Sequence, residues 1–480
     1  MTDFITEMLN LIEDDEIIIT GHETIGSTVT VHVQKKLSPH FCPLCGQRMY
    51  SKGIYERTVN HPILQDGRKI ILRVAKRKWR CSDNNCLYMC SDSFKSFAAY
   101  KHSSNILPFL IVRDMKNLNV PTNQIAEKYN ISDTAVHTIF QQYVDLKRLP
   151  LSEIISIDEV YMNFDYAHKY PLVILDFLSG QPIDIVKSRR DKDTEAYFLS
   201  IPLSEREKVR FLICDMYKPY YYYIRRYFPN AKAVVDCFHV VKWINDRIRS
   251  YLNQVRRIYK KRDEQLLNSK NLMNNRNNKS IKSSREVYIL SKFKWVLLEK
   301  RANIDYTADP RWDFFLKQYL DTYQKEKMFL EIDDRFSRLR DLKEQYFSFN
   351  GEAINDPDCA ESKLNDLISF YSCCGDDIFS DFADLLKRYK PYIIRSYTFV
   401  TVTDSSGNKS VHRLTNSFIE SFNNHPKNLR RASRGLTNFD YARNRILWAT
   451  RSNPSILAIP RKPSEIYVPG KHRGNYNKNK

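Results

Sequence analysis

The stretch from Phe211 to Trp243, FLICDMYKPYYYYIRRYFPNAKAVVDCFHVVKW, constrains the fold more than any other part of the chain. It opens on an apolar run, Phe211 to Cys214, that ends at Asp215. A second run, Ala231 to Val235, ends at Asp236, and His239 follows three residues later. Residues of helical character lie between the two runs. Short, bounded, β-prone runs on either side of one helix predict strand–helix–strand. Carboxylates at the carboxyl ends of adjacent parallel strands sit where open α/β sheets place their chemistry.

The preceding segments extend this sheet. Ile154 to Ile157 reads as a strand ending on Asp158-Glu159. Tyr170 to Phe177, a Ser179-Gly180 turn and Pro182 to Val186 read as the next two strands of a meander, and Asp191 to Leu199 as a helix. The order β-β-β-α-β-α-β, with carboxylates on the first and fourth strands, is that of the ribonuclease H-like fold. From Trp243 to about Ser410, charged and aromatic residues recur at helical spacing, as in Trp295, Leu297, Leu298 and Arg301. This predicts an all-helical insertion, interrupted by a polar loop from Asn268 to Glu286. The core resumes with Asn416-Ser417-Phe418-Ile419-Glu420, in which Phe418 and Phe422 share one helical face and Glu420 projects elsewhere.

The amino-terminal third reads as a delivery system. Cys42-Pro43-Leu44-Cys45-Gly46 and Cys81 to Cys86 form two knuckles whose four thiolates, Cys42, Cys45, Cys81 and Cys86, suit a tetrahedral structural zinc site. His40 and Cys90 are possible substitutes for one ligand. In the next block, Ser103 or Ser104 suits the cap of a helix, and Thr122 that of another ending near Asn130. Ser132 suits the cap of a third helix, completing a helix-turn-helix pattern with Thr134, His137 and Thr138 as groove-contact candidates. The net charge of +20 points to a polyanionic partner, nucleic acid first. Lys427, Arg430, Arg431 and Arg434, with interleaved aromatics, continue that signal near the carboxyl end. No apolar run approaches the roughly 20 residues that cross a bilayer, so a cytoplasmic protein without membrane partners is expected.

Asp158, Asp215 and Glu420 together, without nitrogen or sulfur partners, suit two Mg²⁺ or Mn²⁺ ions acting on a phosphodiester. Asp236 is the alternative second carboxylate, since it too ends a strand; Asp215 is preferred because it leads directly into the helix after the fourth strand. His239 supports the site, contacts DNA, or is a structural histidine.

These residues resemble a known family. The knuckles with Arg80 before Cys81, Ile157-Asp158-Glu159, Asp215-Met216 with Tyr220, Phe228-Pro229-Asn230-Ala231, and Asp236-Cys237-Phe238-His239-Val240-Val241 are similar to motifs of ISL-three family insertion-sequence transposases. So are Asn416-Ser417-Phe418-Ile419-Glu420 and Gly435-Leu436-Thr437-Asn438-Phe439. The resemblance runs in order from about residue 40 to 450. It implies a bacterial, nucleoid-associated DDE transposase that binds terminal inverted repeats as a dimer or larger assembly on double-stranded DNA. Mg²⁺-dependent cutting and strand transfer would then fall to Asp158, Asp215 and Glu420, with Asp236 and His239 matching a Cys-or-Asp-x2-His signature. The sequence departs from the pattern at Ser421, where glycine is common, and at His425-Pro426, where the proline should end or kink the helix soon after Glu420. The rival reading is a zinc and helix-turn-helix regulator on a non-catalytic ribonuclease H-like scaffold.

The expected organisation is multidomain α+β. Residues 1–39 form a helix and strands, 40–100 a zinc-binding module, and 101–148 the helix-turn-helix. Residues 150–245 and 411–450 form the two parts of the ribonuclease H-like α/β core, 246–410 the helical insertion, and 451–480 a basic tail.

Overall fold

The computed structural model describes residues 9, 11, 16–61, 68–97, 102–274, 284–403, 407–433 and 435–466. The expected amino-terminal helix, Arg434 and the tail beyond Ile466 lie outside the described residues. The chain is mixed α and β and forms two compact units. One holds Met1–Leu149, Val160–Pro171 and Asn423–Lys480; the other holds Pro150–Glu159 and Leu172–Phe422.

The first unit begins with a five-stranded sheet of β1 (Ile17–Ile25), β2 (Thr28–Lys35), β3 (Met49–Asn60), β4 (Lys69–Cys81) and β5 (Met89–Ser91). Its order is β1-β2-β4-β3, with β5 also paired to β4. Alternation along β4 buries Ile70, Leu72 and Val74 against Leu9, Leu11, Phe94 and Phe97. Further along, the buried face changes: Trp79 and Cys81 pack with Cys42 and Met49 instead. A register shift between Ser51 and Gly53 accompanies this change, and Gly53 adopts φ 144°, which a side chain would resist.

Three helices follow: α1 (Leu107–Asp114), α2 (Thr122–Tyr129) and α3 (Asp133–Tyr143). Asn130 ends α2 in the left-handed conformation at φ 51°, and Ser132 Oγ accepts the Ala135 N–H, as expected of a C-cap and an N-cap. Two other expected caps are not used. The N-cap of α1 is Ile106, with Pro108 in the first turn, while Ser104 is buried upstream. Pro121 precedes α2, so Thr122 is already helical, and its Oγ1 lies 3.5 Å from Tyr441 Oη. Proline's fixed φ starts the helix without a side-chain cap.

The second unit is built on β6 (Ile154–Glu159), β7 (Leu172–Asp176), β8 (Pro182–Val186), β9 (Phe211–Cys214) and β10 (Lys232–Val235), with α4 (Asp191–Leu199) before β9 and α5 (Lys218–Tyr227) after it. The sheet order is β10-β9-β6-β7-β8. β9 runs parallel to both β6 and β10, and β6, β7 and β8 form an antiparallel meander. Continuous burial along β6, β7, β8 and β9 shows that both faces are covered.

A helix of 38 residues, α6 (Cys237–Asn274), starts immediately after Asp236 and enters the insertion. It continues seven residues into the segment expected as a loop; residues 275–283 are outside the described set, and α7 (Arg285–Lys292) follows. The Asp263 carboxylate accepting the Ser284 N–H and the Arg262–Glu286 ion pair join the two helices.

The insertion is not all-helical. It contains a hairpin of β11 (Arg311–Asp313) and β12 (Gln318–Leu320), then α8 (Thr322–Leu330), α9 (Arg335–Asn355), α10 (Ala360–Cys373) and α11 (Asp377–Arg395). A second hairpin, β13 (Phe399–Thr403) with β14 (Lys409–Arg413), ends it. Helical spacing in Phe314, Leu316, Tyr319 and Leu320 concealed a four-residue turn in which Lys317 takes φ 52°. Val402 and Leu414, around the second hairpin, pack on Ile154, Phe177, Ile213 and Val234 of the sheet unit.

The chain then forms α12 (Ser417–Phe422), α13 (Asn424–Ala432) and α14 (Phe439–Thr450). The helix carrying Glu420 does end soon after it, at Asn423. Pro426 falls in the first turn of α13, where its missing N–H would have had no intrahelical partner. In the first unit, α14 packs with the three helices of residues 107–143. Arg445, fully buried, donates from Nη2 to the carbonyls of Asn117 and Val120, and Trp448 Nε1 donates to the Val112 carbonyl at 2.7 Å. Arg445 is therefore a packing residue.

Candidate active site

The two knuckles meet in the first unit. Cys42 Sγ lies 3.6 Å from Cys86 Sγ and Cys45 Sγ 3.3 Å from Cys81 Sγ, and all four sulfurs fall within 4.8 Å of one another. Sulfurs bonded to one zinc at about 2.3 Å in a tetrahedron stand about 3.8 Å apart, so the set fits that ion. Gly46, at φ 74°, closes the first turn, donating its N–H to the Cys42 carbonyl. Burial pushes the Cys42 thiol up, but N–H groups of Leu44 and Cys45 outweigh it and bring it down to about 7, which favours the thiolate. His40 instead stacks on Trp79 at 4.4 Å, and Cys90 stands outside the four-sulfur group.

The carboxylates meet in the second unit. Asp158 is near the end of β6, Asp215 immediately follows β9, and Glu420 lies on α12. Burial pushes the Asp158 carboxyl up to about 7, with Glu159, Asp215 and Glu420 adding like-charge repulsion. Burial also raises Asp215, against the Tyr217 N–H and the cations Arg189 and Lys242. Three acidic groups from positions 158, 215 and 420 therefore share one electrostatic neighbourhood. They are not as close as the sulfurs: among the described residues, only the cysteines form a group of three or more ligand atoms within 4.8 Å.

Asp236 plays a different part from Asp215. It is 4% exposed, and its carboxylate accepts the Asn416 N–H at 2.9 Å and the Phe238 N–H at 3.3 Å. The Asn416 amide is hydrogen-bonded to His239 Nε2 at 3.2 Å, and the same nitrogen lies 3.7 Å from Glu420 Oε1. Burial holds His239 below the usual histidine range, so the ring is neutral near pH 7. Asp236, His239 and Asn416 thus tether the start of α12 to the start of α6.

Sequence reasoning missed Arg189, whose guanidinium pairs with Glu159 and lies 4.7 Å over the Tyr217 ring. Glu159 also accepts the Tyr220 hydroxyl. Nothing in the local sequence marks Arg189. Lys242 was findable, being three residues after His239 on the same helix.

In the first unit, Thr134 is exposed and Thr138 half-buried, while the His137 ring lies 4.5 Å from Tyr441. Burial lowers the His137 imidazole and Arg445 adds to it. Lys427, Arg430 and Arg431 are exposed on α13, with Arg430 lying 4.2 Å over the Tyr161 ring. An open groove of about 1010 Å³ on the amino-terminal sheet is lined by Lys52, Tyr55, Arg57, Lys76, Lys78 and Trp79, among others. No helix among the described residues is long and apolar enough to cross a membrane.

Comparison with known proteins bears on the regions that hold both clusters. Residues 38–86 match the zinc-finger of the transposases of IS204, IS1001, IS1096 and IS1165. The transposase for insertion sequence element IS1001 from Bordetella parapertussis is 23% identical over 312 residues, covering 62% of this chain and 67% of that protein. Residues 155–446, more than half of the chain and including all three carboxylates, match the transposase domain of the DDE type, and the chain belongs to the ISL3 family of transposases.

Proposed function

We propose that Asp158, Asp215 and Glu420 are the catalytic carboxylates of this transposase, on a ribonuclease H-like core, and that they hold two Mg²⁺ or Mn²⁺ ions. The observation that carries the reading is the placement of Asp158 near the end of β6, Asp215 just past the parallel strand β9 and Glu420 on α12, with burial raising Asp158 beside it. Buried like charges are costly unless cations neutralise them, and hard oxygen donors suit these ions. A spacing wider than that of the sulfurs agrees with ligands shared between two ions. When bound, such ions activate a water or 3′-hydroxyl and stabilise the leaving oxygen of an in-line displacement.

The chain's own residues then hold the geometry. His239, Asn416 and Asp236 are positioning residues for Glu420, which no strand of the sheet carries. Arg189 pairs with Glu159, the carboxylate next to Asp158 in the chain, and so offsets part of the negative charge gathered there. The sheet order supports the ribonuclease H-like assignment, and the capped turn between α2 and α3 supports a helix-turn-helix. Thr134, Thr138, Lys427, Arg430 and Arg431 would contact double-stranded DNA, and the amino-terminal module with its zinc would help recognise the terminal inverted repeats. The assembly on DNA would be a homodimer or larger, in the bacterial cytoplasm.

The test is incubation of the protein with Mg²⁺ and duplexes carrying the element's ends. Nicks should form with the wild type and vanish in Asp158→Asn and Glu420→Gln, with DNA binding retained. Unchanged cleavage in either variant removes that carboxylate from the chemistry. Binding without any cleavage by the wild type would favour a regulator on the same scaffold.

A further inference from the structure

The insertion carries an aromatic surface that the proposed chemistry does not use. Trp312 and Tyr319 are register partners across the β11–β12 hairpin, with ring centroids 5.1 Å apart in an edge-to-face pair. Phe314, two residues beyond Trp312 at the start of the turn, is 87% exposed; Tyr319 is 67% and Trp312 43% exposed. The turn that presents them is firmly held. Asp313 Oδ1 accepts the N–H groups of Phe315 and Leu316, both at 2.9 Å, and Oδ2 accepts the Tyr288 hydroxyl at 2.8 Å. Phe315 stacks flat on Tyr288 at 4.2 Å, and Leu316 packs against the core of the insertion. One side of the hairpin is thus fastened to the body while the Phe314 and Tyr319 rings remain largely uncovered and Trp312 partly so.

We propose that this hairpin is a stacking platform for an unpaired base of the DNA substrate. Flat π-faces bind bases without regard to their identity, and the flanking cations suit the adjoining phosphates. Arg311 and Lys317, both exposed, frame the aromatic residues and make no ion pair among the described residues, while Lys292 lies near Asp313. A protein partner fits less well. At roughly 150–250 Å² per aromatic side chain, the three expose on the order of 400 Å². A stable protein interface needs about 800 Å² from each side. An unpaired base needs only one such π-face. The proposal rests on the transposase reading for its substrate class and adds to it the conformation of the strand.

The experiment uses the full chain, with the fluorescence of 2-aminopurine placed at unpaired positions in end-containing duplexes and in oligothymidylate. Wild-type protein should quench the probe, as a stacked base requires. Phe314→Ala and Tyr319→Ala should weaken single-strand binding by about tenfold each and relieve the quenching, while Phe314→Tyr restores both. Equal quenching and affinity in wild type and alanine variants would overturn the platform. A change in oligomeric state with strand binding intact would overturn it in favour of a contact between copies. Cleavage of fully paired ends by the wild type, measured alongside, separates the two readings: its loss overturns the transposase site, whereas its presence with an indifferent hairpin overturns only the platform.

Discussion

The cysteine cluster and the carboxylate cluster solve the same problem in opposite ways. Each gathers groups that repel one another when ionised. The four sulfurs come from two turns joined by the β3–β4 hairpin and are spaced for one ion. The carboxylates come from β6, from the end of β9, and from a helix on the far side of an insertion. A closed soft-ligand set makes a structural centre, whereas an open set of oxygens leaves room for a substrate. The surroundings differ accordingly. The knuckle core buries Met49 and Trp79 as its only large apolar side chains, worth together about 5 kcal/mol at most. Zinc in small modules contributes roughly 10–16 kcal/mol, so the metal decides whether the knuckles fold. The carboxylates instead sit on a sheet covered on both faces, which stands without them.

This contrast can be broken most severely at the cysteines. Cys42→Ser with Cys45→Ser, or chelation of zinc, should unfold the knuckles and expose the β3–β4 hairpin to protease, leaving residues 150–422 protected. Limited proteolysis with mass mapping checks this, and an intact, zinc-free amino-terminal module would contradict it. At the second cluster, Asp215→Asn should abolish cleavage, by about 10³-fold or more. Asp236→Asn should lower it by only about 10–100-fold, since Asp236 acts through the placement of Glu420. Single-turnover rates decide, and equal losses would erase the distinction drawn between the two aspartates. His239→Ala belongs with Asp236→Asn, with rate loss but little change in DNA affinity.

The smallest effect is on stability. The folded-state value of Asp158 lies above that of an ordinary carboxylate. The folded protein therefore keeps a proton that the unfolded chain has already lost, and metal-free stability should fall as pH rises from about 4 to about 7. Asp158→Asn should flatten that slope and stabilise the metal-free protein by roughly 1–4 kcal/mol at pH 8. Urea denaturation in a chelator measures it. A wild-type curve that is flat over this window would show that burial and the acidic neighbours do not raise Asp158.

Legibility followed the range of the constraint. The knuckles were readable because Cys-x2-Cys spacing is local, and β8, β9 and α4 were readable to the residue because short apolar runs end at turns or acids. Asp158, Asp215 and Glu420 are grouped from residue type and strand-end or helix placement, and the resemblance adds their roles; no local pattern reports a contact across 262 positions of chain. The first hairpin in the insertion was missed because aromatic residues at three- and four-residue spacing fit a helix until Asp313 is seen accepting the turn's N–H groups. Thr122 and Ser104 show the limit of cap reading. Both have the right chemistry, but Pro121 and Pro108 set the helix starts.

The longest described helix, α6, starts at the site. Thirty-eight residues at about 1.5 Å each make a rod of about 57 Å, whose root begins one position past Asp236 and carries His239 in its first turn. A tilt of about 5° at that root displaces the far end by about 5 Å. The same helix lays Val240, Ile244, Ile248, Leu252 and Val255 into the core of the insertion, so that core and the histidine beside Glu420 stand on one continuous element.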